Sequence, residues 1–238
     1  MNKLPDYRLI VKLKAPQDML VPYNYRQYLS GLLYSILENV SPETGIKLHQ
    51  EGYLKNKNYK FFTHNLLAVH AAYRPEGFTS TNGEWEYWFS SADHHILAIL
   101  EHAFSLLNTI TLKDITFQIR KNKLKRVPLR KKGGIYRCVS PITVKRNNKY
   151  LNPEDGNFTV GVKKALINRY QAWTGLSIRE DDIHFKFTAY RKRLESYRNF
   201  KIPGYSGKFE FDAPPEVIQF AQLVGLGMHN SIGMGMIA

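Results

Sequence analysis

The sequence predicts an α+β protein built from two consecutive β-α-β-β-α-β units, each an antiparallel sheet with helices on one face. Three observations lead there. Short runs alternate apolar and polar residues, the period of a half-buried strand. Between them lie segments with an apolar stripe at helical spacing. The order of these two kinds of segment then repeats, the second copy beginning near Ile135.

In the first unit, Tyr7–Lys14 sets Leu9, Val11 and Leu13 against Arg8, Lys12 and Lys14, a strand. Asn24 opens a helix whose stripe is Tyr25, Tyr28, Leu29, Leu32, Leu33, Ile36, Leu37 and Val40. Ser41-Pro42 reads as the cap and first turn of a short second helix, stopped by Gly52. Strands follow at Phe61–Tyr73 and Glu84–Ser90, with a turn-rich connection from Arg74 to Gly83. Asp93 caps a helix carrying Ile96, Leu97, Leu100, Ala103, Phe104 and Leu107, and Ile110–Arg120 returns as a strand. In the second unit a strand or hairpin covers 135–151, followed by a helix near Asn157–Thr174. Strands at Ile183–Arg193 and Lys208–Asp212, a proline-initiated helix near Pro214–Val224 and a short final strand complete it. The expected domains are 1–121 and 122–238, linked by the basic stretch Lys121–Gly134.

The 238 residues are 43 % hydrophobic, enough for a packed interior and too many for a disordered chain. The single cysteine, Cys138, has no partner for an internal disulfide and suits a reducing compartment. No apolar run approaches the roughly 18–20 residues that span a bilayer, and the N-terminal residues alternate where a secretory signal would be continuously apolar. A soluble cytoplasmic protein with no membrane partner is expected. The formal charge of +14 is unevenly placed. Residues 1–112 hold ten basic and ten acidic residues, whereas 113–150 hold thirteen basic residues against Asp114. Lys186–Lys208 adds seven against Glu195. Tyr136, Tyr190, Tyr197, Phe200 and Tyr205 lie nearby, and aromatics beside cations are how single-stranded nucleic acid is held. Lys121, Lys123, Lys125, Arg126, Arg130, Arg191 and Arg193 are the candidates for phosphate contacts. There is no HExxH spacing, no zinc-type Cys/His set and no Gly-Lys-Ser/Thr loop, so neither metal nor cofactor is expected.

The tail is the most specific local feature. Gly225, Gly227, Gly233 and Gly235 form G-x-G-x5-G-x-G after a helix, with His229, Asn230 and Ser231 inside the loop. Glycine lets another backbone approach closely, and a compact donor-rich turn suits a phosphate. A tight hairpin without a ligand is the alternative.

Together with VPYNYRQYLSGLLYSIL (Val21–Leu37), YKFFTHNLL (Tyr59–Leu67) and SPITV (Ser140–Val144), this tail resembles the repeat-associated RNA-binding (RAMP) superfamily of CRISPR systems. Within it the similarity is to the CRISPR-associated (Cas) endoribonuclease family, number six, which trims precursor CRISPR RNA. The resemblance implies two tandem ferredoxin-like (RRM-like) βαββαβ domains, the first carrying the catalytic residues and the second binding RNA with the glycine-rich loop. It implies metal-independent cleavage within repeats by 2′-OH attack, leaving 2′,3′-cyclic phosphate and 5′-OH ends. The implied partners are CRISPR repeat RNA and other effector subunits, around a monomer or homodimer.

The family pattern falls on His49 as acid or base, Tyr34 as a group orienting or protonating a reacting oxygen, and Lys60 as the supporting cation. The residues themselves are consistent with these roles. Histidine transfers protons near neutral pH, and the last turn of a helix favours its charged form. Tyr34 falls opposite the apolar stripe of its helix, beside Gln27, Gly31 and Glu38. Lys55 and Lys57 compete with Lys60, because the 51–58 loop is longer than the pattern requires. His64 could assist His49 or serve the core. The rival function is a catalytically silent RNA-binding subunit of a CRISPR effector complex. A general RNA-recognition domain is disfavoured by the missing basic-aromatic strand motif.

Overall fold

A computed structural model describes residues 3–50 and 59–238; the side chains of Lys47, His49, Gln50, Lys121, Asn122 and Lys123 lie outside the description. The first unit runs β1 (Tyr7–Lys14), β2 (Val21–Pro22), α1 (Tyr25–Val40), α2 (Pro42–Gln50), β3 (Phe62–Ala68), β4 (Ala71–Tyr73) and β5 (Gly77–Ser80). It continues with β6 (Glu84–Ser91), α3 (His94–Leu106), β7 (Thr109–Leu112) and β8 (Ile115–Pro128). Its main sheet is antiparallel in the order β3-β6-β1-β8-β7, the ferredoxin-like arrangement in which β6 and β1, the third and first strands of the β-α-β-β-α-β pattern, lie side by side between β3 and β8. Leu9, Val11 and Leu13 of β1 join Trp85, Tyr87, Phe89 and Phe117 in one buried face. The apolar stripes of α1 and α3 close it, with Leu29, Leu33, Leu37, Leu97 and Leu100 almost wholly buried. Asp93 caps α3 by accepting the His95 amide at 2.8 Å.

Two expectations are corrected here. The connection from Arg74 to Gly83 is not simply turn: β5 lies within it and pairs with β4 and β2 in a small sheet of its own. The stretch read as a linker from Lys121 is strand through Pro128, with Leu124–Pro128 opposite Val11–Tyr7 of β1. A register shift between Val11 and Leu13 interrupts the alternation there, and solvated charges on the outward positions disguise the strand.

The second unit comprises β9 (Gly134–Arg137), the hairpin β10 (Lys145–Arg146) and β11 (Lys149–Tyr150), α4 (Gly156–Thr174), β12 (His184–Tyr197), β13 (Phe200–Asp212) and α5 (Pro215–Val224). The sheet order is β12-β13-β9. The chain's last residues supply the fourth strand position, Arg137 and Ala238 exchanging backbone hydrogen bonds of 2.8 and 3.0 Å. Phe158, Leu166, Phe185, Phe209 and Phe220 form its core. β12 and β13 extend well beyond the expected strands, and their turn lies at Arg198-Asn199. Pro203, Gly204 and Gly207 imitate breakers, but the glycines answer close contacts. A Cβ on Gly207 would lie 1.9 Å from the Ala189 carbonyl, beside a bulge in β12.

The units are locked together around Arg26 of α1, a residue 3 % exposed. Its Nε donates to Glu195 of β12 at 2.8 Å, and Nη1 donates to the Asn65 side chain of β3 (3.1 Å) and the Gly233 carbonyl (2.6 Å). Burial opposes its charge, but Glu195's attraction and hydrogen bond more than compensate, so the guanidinium is held above its ordinary pKa. Arg26→Ala should lower unfolding stability by about 3–5 kcal/mol, because Glu195 is left without its partner. Arg26→Met/Glu195→Leu should recover part of that loss in urea unfolding; a single-variant loss below about 1 kcal/mol would show that the node does not hold the units.

Candidate active site

The C-terminal half of α1, the short helix α2 and the approach to β3 converge. α2 packs directly on α1 because residue 45 is glycine: a Cβ there would stand 2.5 to 2.8 Å from the Glu38 Cγ, N and Cα atoms. Glu38 lies one turn beyond Tyr34, and His49 one turn beyond Gly45. The His49 side chain lies outside the described residues. Lys60 Nζ donates to the Tyr34 phenol oxygen at 2.7 Å, and both side chains are half-buried. Burial raises the Tyr34 pKa well above the ordinary tyrosine range, and nearby Tyr197 adds to the shift. Burial lowers that of Lys60. The phenol therefore keeps its proton, and a cation sits against its oxygen. Such a pair can donate to an oxygen that gains negative charge. Lys55 and Lys57 lie outside the described residues.

His64 belongs to the core. It is fully buried in β3, with Nε2 donating to the Ser231 carbonyl at 3.2 Å and Nδ1 3.5 Å from the Tyr87 hydroxyl. Burial is the largest cause that brings its pKa down to about 3, so the ring is neutral at physiological pH.

The glycine loop folds around two buried polar side chains. Asn230 donates to the Leu226 and Met234 carbonyls at 3.0 and 3.1 Å and accepts from Arg169. Arg169 also donates to the Val224 and Gly225 carbonyls at 3.0 and 2.9 Å, closing the C-terminus of α5. All four glycines have positive φ, and a Cβ on Gly235 would stand 1.9 Å from the Leu226 carbonyl. The Leu226, Met228, Gly233 and Gly235 amides all donate within the protein. Those four donors are used inside the fold, and the Asn230 side chain serves the loop's own closure. The loop meets solvent at Met228, His229, Ser231 and Ile232.

The predicted cations divide by what they touch. Arg126 is paired with Glu101 through two 2.7 Å hydrogen bonds. Arg130 donates to the Ile135 carbonyl at 2.8 Å and lies 4.2 Å from the Tyr136 ring centre. Lys125 is exposed on β8, while the side chains of Lys121 and Lys123 lie outside the described residues. Arg191 and Arg193 line a cleft of about 730 Å³ between the two units. Arg137 and Lys192, which the sequence does not single out, line it too. Its carboxylates, Glu86 and Glu195, are both paired with cations. Near the exposed loop, the Tyr150 ring lies 6.3 Å from that of His229, with Lys145 5.5 Å from Tyr150. Among the described residues there is no group of three or more His, Cys, Asp or Glu side chains placed to hold a metal, and no helix is long and apolar enough to cross a membrane.

Residues 20–123 match the family model described as "CRISPR-associated protein Cas6, N-terminal", and residues 121–238 match "CRISPR associated protein Cas6, C-terminal". The chain belongs to the Cas6 family. Among its relatives is "CRISPR-associated endoribonuclease Cas6 1" of Methanocaldococcus jannaschii, 24 % identical over 97 % of this chain and 91 % of that protein. "CRISPR-associated endoribonuclease Cas6" of Pyrococcus furiosus is 25 % identical over 97 % of this chain and 89 % of its own length. A solved structure described as "An RAMP protein binding different RNA substrates" superposes with a TM-score of 0.81 at 20 % identity, covering 97 % of this chain and 98 % of that one. The α+β architecture of two ferredoxin-like units is thus the Cas6 and RAMP fold.

The His64 environment makes a pH prediction. Its folded pKa lies below the ordinary 6.5, so the unfolded chain binds more protons between the two values. The stabilisation is present above pH 6.5 and is lost as pH falls toward 3. Between pH 6 and 4, His64→Gln should reduce the slope of unfolding free energy against pH by about 1.4 kcal/mol per unit relative to wild type. An unchanged slope would mean that the ring is not buried neutral.

Proposed function

We propose that this Cas6-family chain is an endoribonuclease that cuts precursor CRISPR RNA within its repeats, using the ribose 2′-OH as nucleophile. The observation that carries the reading is the Lys60–Tyr34 hydrogen bond: two of the three residues on which the family pattern falls meet in one half-buried pair. The endoribonuclease names of the relatives support the activity, and the arginine-lined cleft supports a polyanionic substrate.

In the reaction the 2′-oxygen attacks the adjacent phosphorus while the bond to the 5′-oxygen breaks. The products are a 2′,3′-cyclic phosphate and a 5′-hydroxyl, so one proton leaves the nucleophile and one reaches the leaving oxygen. His49, in the last turn of α2, supplies proton transfer. Tyr34 donates to a reacting oxygen, and Lys60 opposes the charge that builds on the phosphorane-like transition state. No metal or cofactor has a part in these steps. The catalytic groups belong to the first unit, which runs through β8, and the second unit is the principal RNA-binding domain. Arg191 and Arg193 position phosphates in the cleft, Lys121, Lys123 and Lys125 are further phosphate contacts, and His229 and Ser231 touch RNA at the glycine loop. The setting is the cytoplasm, with other effector subunits as further partners.

Wild-type protein should cut repeat RNA in EDTA. His49→Ala should bind that RNA with unchanged Kd and cut at least ~100-fold more slowly, the usual scale of lost acid–base catalysis. Equal cutting by the two proteins would remove His49 from the mechanism. Tight binding with no cutting by wild type would favour the silent-subunit reading.

A further inference from the structure

Glycine inside a helix is unfavourable relative to alanine, so an interior helical glycine calls for a reason. Three stand in the interiors of the described helices, and two have their reason within the protein. At Gly45 a Cβ would strike Glu38 of the neighbouring helix, and at Gly161 it would come within 2.3 Å of a Val144 methyl. Gly31 is different. It is the seventh residue of α1, it is exposed, and a Cβ there would meet no described atom within 4 Å. Its helical φ is one that alanine adopts freely. Nothing in the described protein requires a bare backbone at this point.

What surrounds it indicates what does. Gly31 shares one helix face with Gln27, one turn before, and Tyr34, one turn after. Gln27 Oε1 accepts the Arg198 amide at 2.9 Å, which pins the turn of the long β12–β13 hairpin against that end of the face. The hairpin turn carries exposed Arg198 and Phe200, and its Tyr197 lies near enough to Tyr34 to affect the phenol's ionisation. At the other end stands the Tyr34–Lys60 pair. Gly31 thus lies on an open helix face with a basic residue joined to each end, Arg198 through Gln27 and Lys60 through Tyr34. A phosphodiester backbone fits that charge, and its ribose and phosphate oxygens can lie on a helix only where no side chain holds them off.

Building on the proposed RNA-cleaving role, we propose that Gly31 is a substrate-positioning residue, its missing side chain allowing the RNA backbone to rest on α1 between the hairpin turn and Tyr34. A methyl group at this point lifts the strand by an ångström or more. Misplacement on that scale can cost a reaction about 100-fold even when it arises away from the bond being broken.

The test sets stability against activity. Gly31→Ala should raise Tm by about 2–4 °C, the shift expected when a helical glycine is replaced in a chain of this size. The same variant should cut repeat RNA at least ~10-fold more slowly in single-turnover assays at saturating protein, and Gly31→Gln more slowly still. Gly156→Ala, at the first residue of α4 where a Cβ also meets nothing within 4 Å, should cut like wild type. Wild-type cutting by Gly31→Ala would overturn the proposal, as would a fall in its Tm, which would reveal an internal packing reason. An equal loss in Gly156→Ala would also overturn it, by showing that the effect is not specific to this face. Failure of wild type itself to cut would instead count against the endoribonuclease reading, so the two failures are told apart.

Discussion

One buried guanidinium determines how the halves of this molecule meet. Arg26 ties α1 to β3 through Asn65, to the β12–β13 hairpin through Glu195 and to the glycine loop through Gly233. Asn65 extends the network, accepting from Tyr25 at 2.7 Å and donating to Val139 of the second unit at 3.0 Å. Tyr34 is carried on the same helix two turns further on. The reacting face and the basic hairpin are therefore registered to each other through Arg26, with Gln27 holding the hairpin turn on the same helix. Neutral hydrogen bonds at the edge of an interface would fix that relation less firmly than a desolvated ion pair whose guanidinium also donates to Asn65 and Gly233.

Local alternation made β1 and α1 legible, because each buries one face against a single core and the sequence period reports that burial directly. The same logic hid what lies outside a core. The distal halves of β12 and β13 have little core to bury, so Leu194 and Phe200 are exposed and the pattern fades into charge and glycine. β8 was obscured in the same way by cations beyond Arg120. The small sheet formed by β2, β4 and β5 rests on strands of two to four residues, too short for any period to register.

Within the site, the meeting of Tyr34 and Lys60 was legible only through the family pattern. They are 26 residues apart, and no periodicity connects the polar face of a helix to a residue just before a strand. The cationic surface shows the opposite limitation. Counting charges finds Arg126 and Arg169 as readily as Arg191, but Arg126 is engaged by Glu101 and Arg169 is buried among carbonyls, its pKa lowered by burial to about 10. A charge that already has a partner is a poorer candidate for phosphate than one facing a cleft, and partners appear only in three dimensions. Asn230 and the loop glycines were conspicuous in sequence for a related reason. Their spacing records how tightly the loop closes on itself, with His229 and Ser231 at its outward edge.

The account stands on the substrate's own hydroxyl as the attacking group. The most direct measurement replaces the ribose at the scissile position of a repeat RNA with 2′-deoxyribose and follows binding and cleavage with wild-type protein. Binding should be unchanged and cleavage absent, while the unmodified strand yields a fragment ending in a 2′,3′-cyclic phosphate by mass spectrometry. Cleavage of the deoxy-substituted strand, or a 5′-phosphate on the downstream product, would contradict the mechanism.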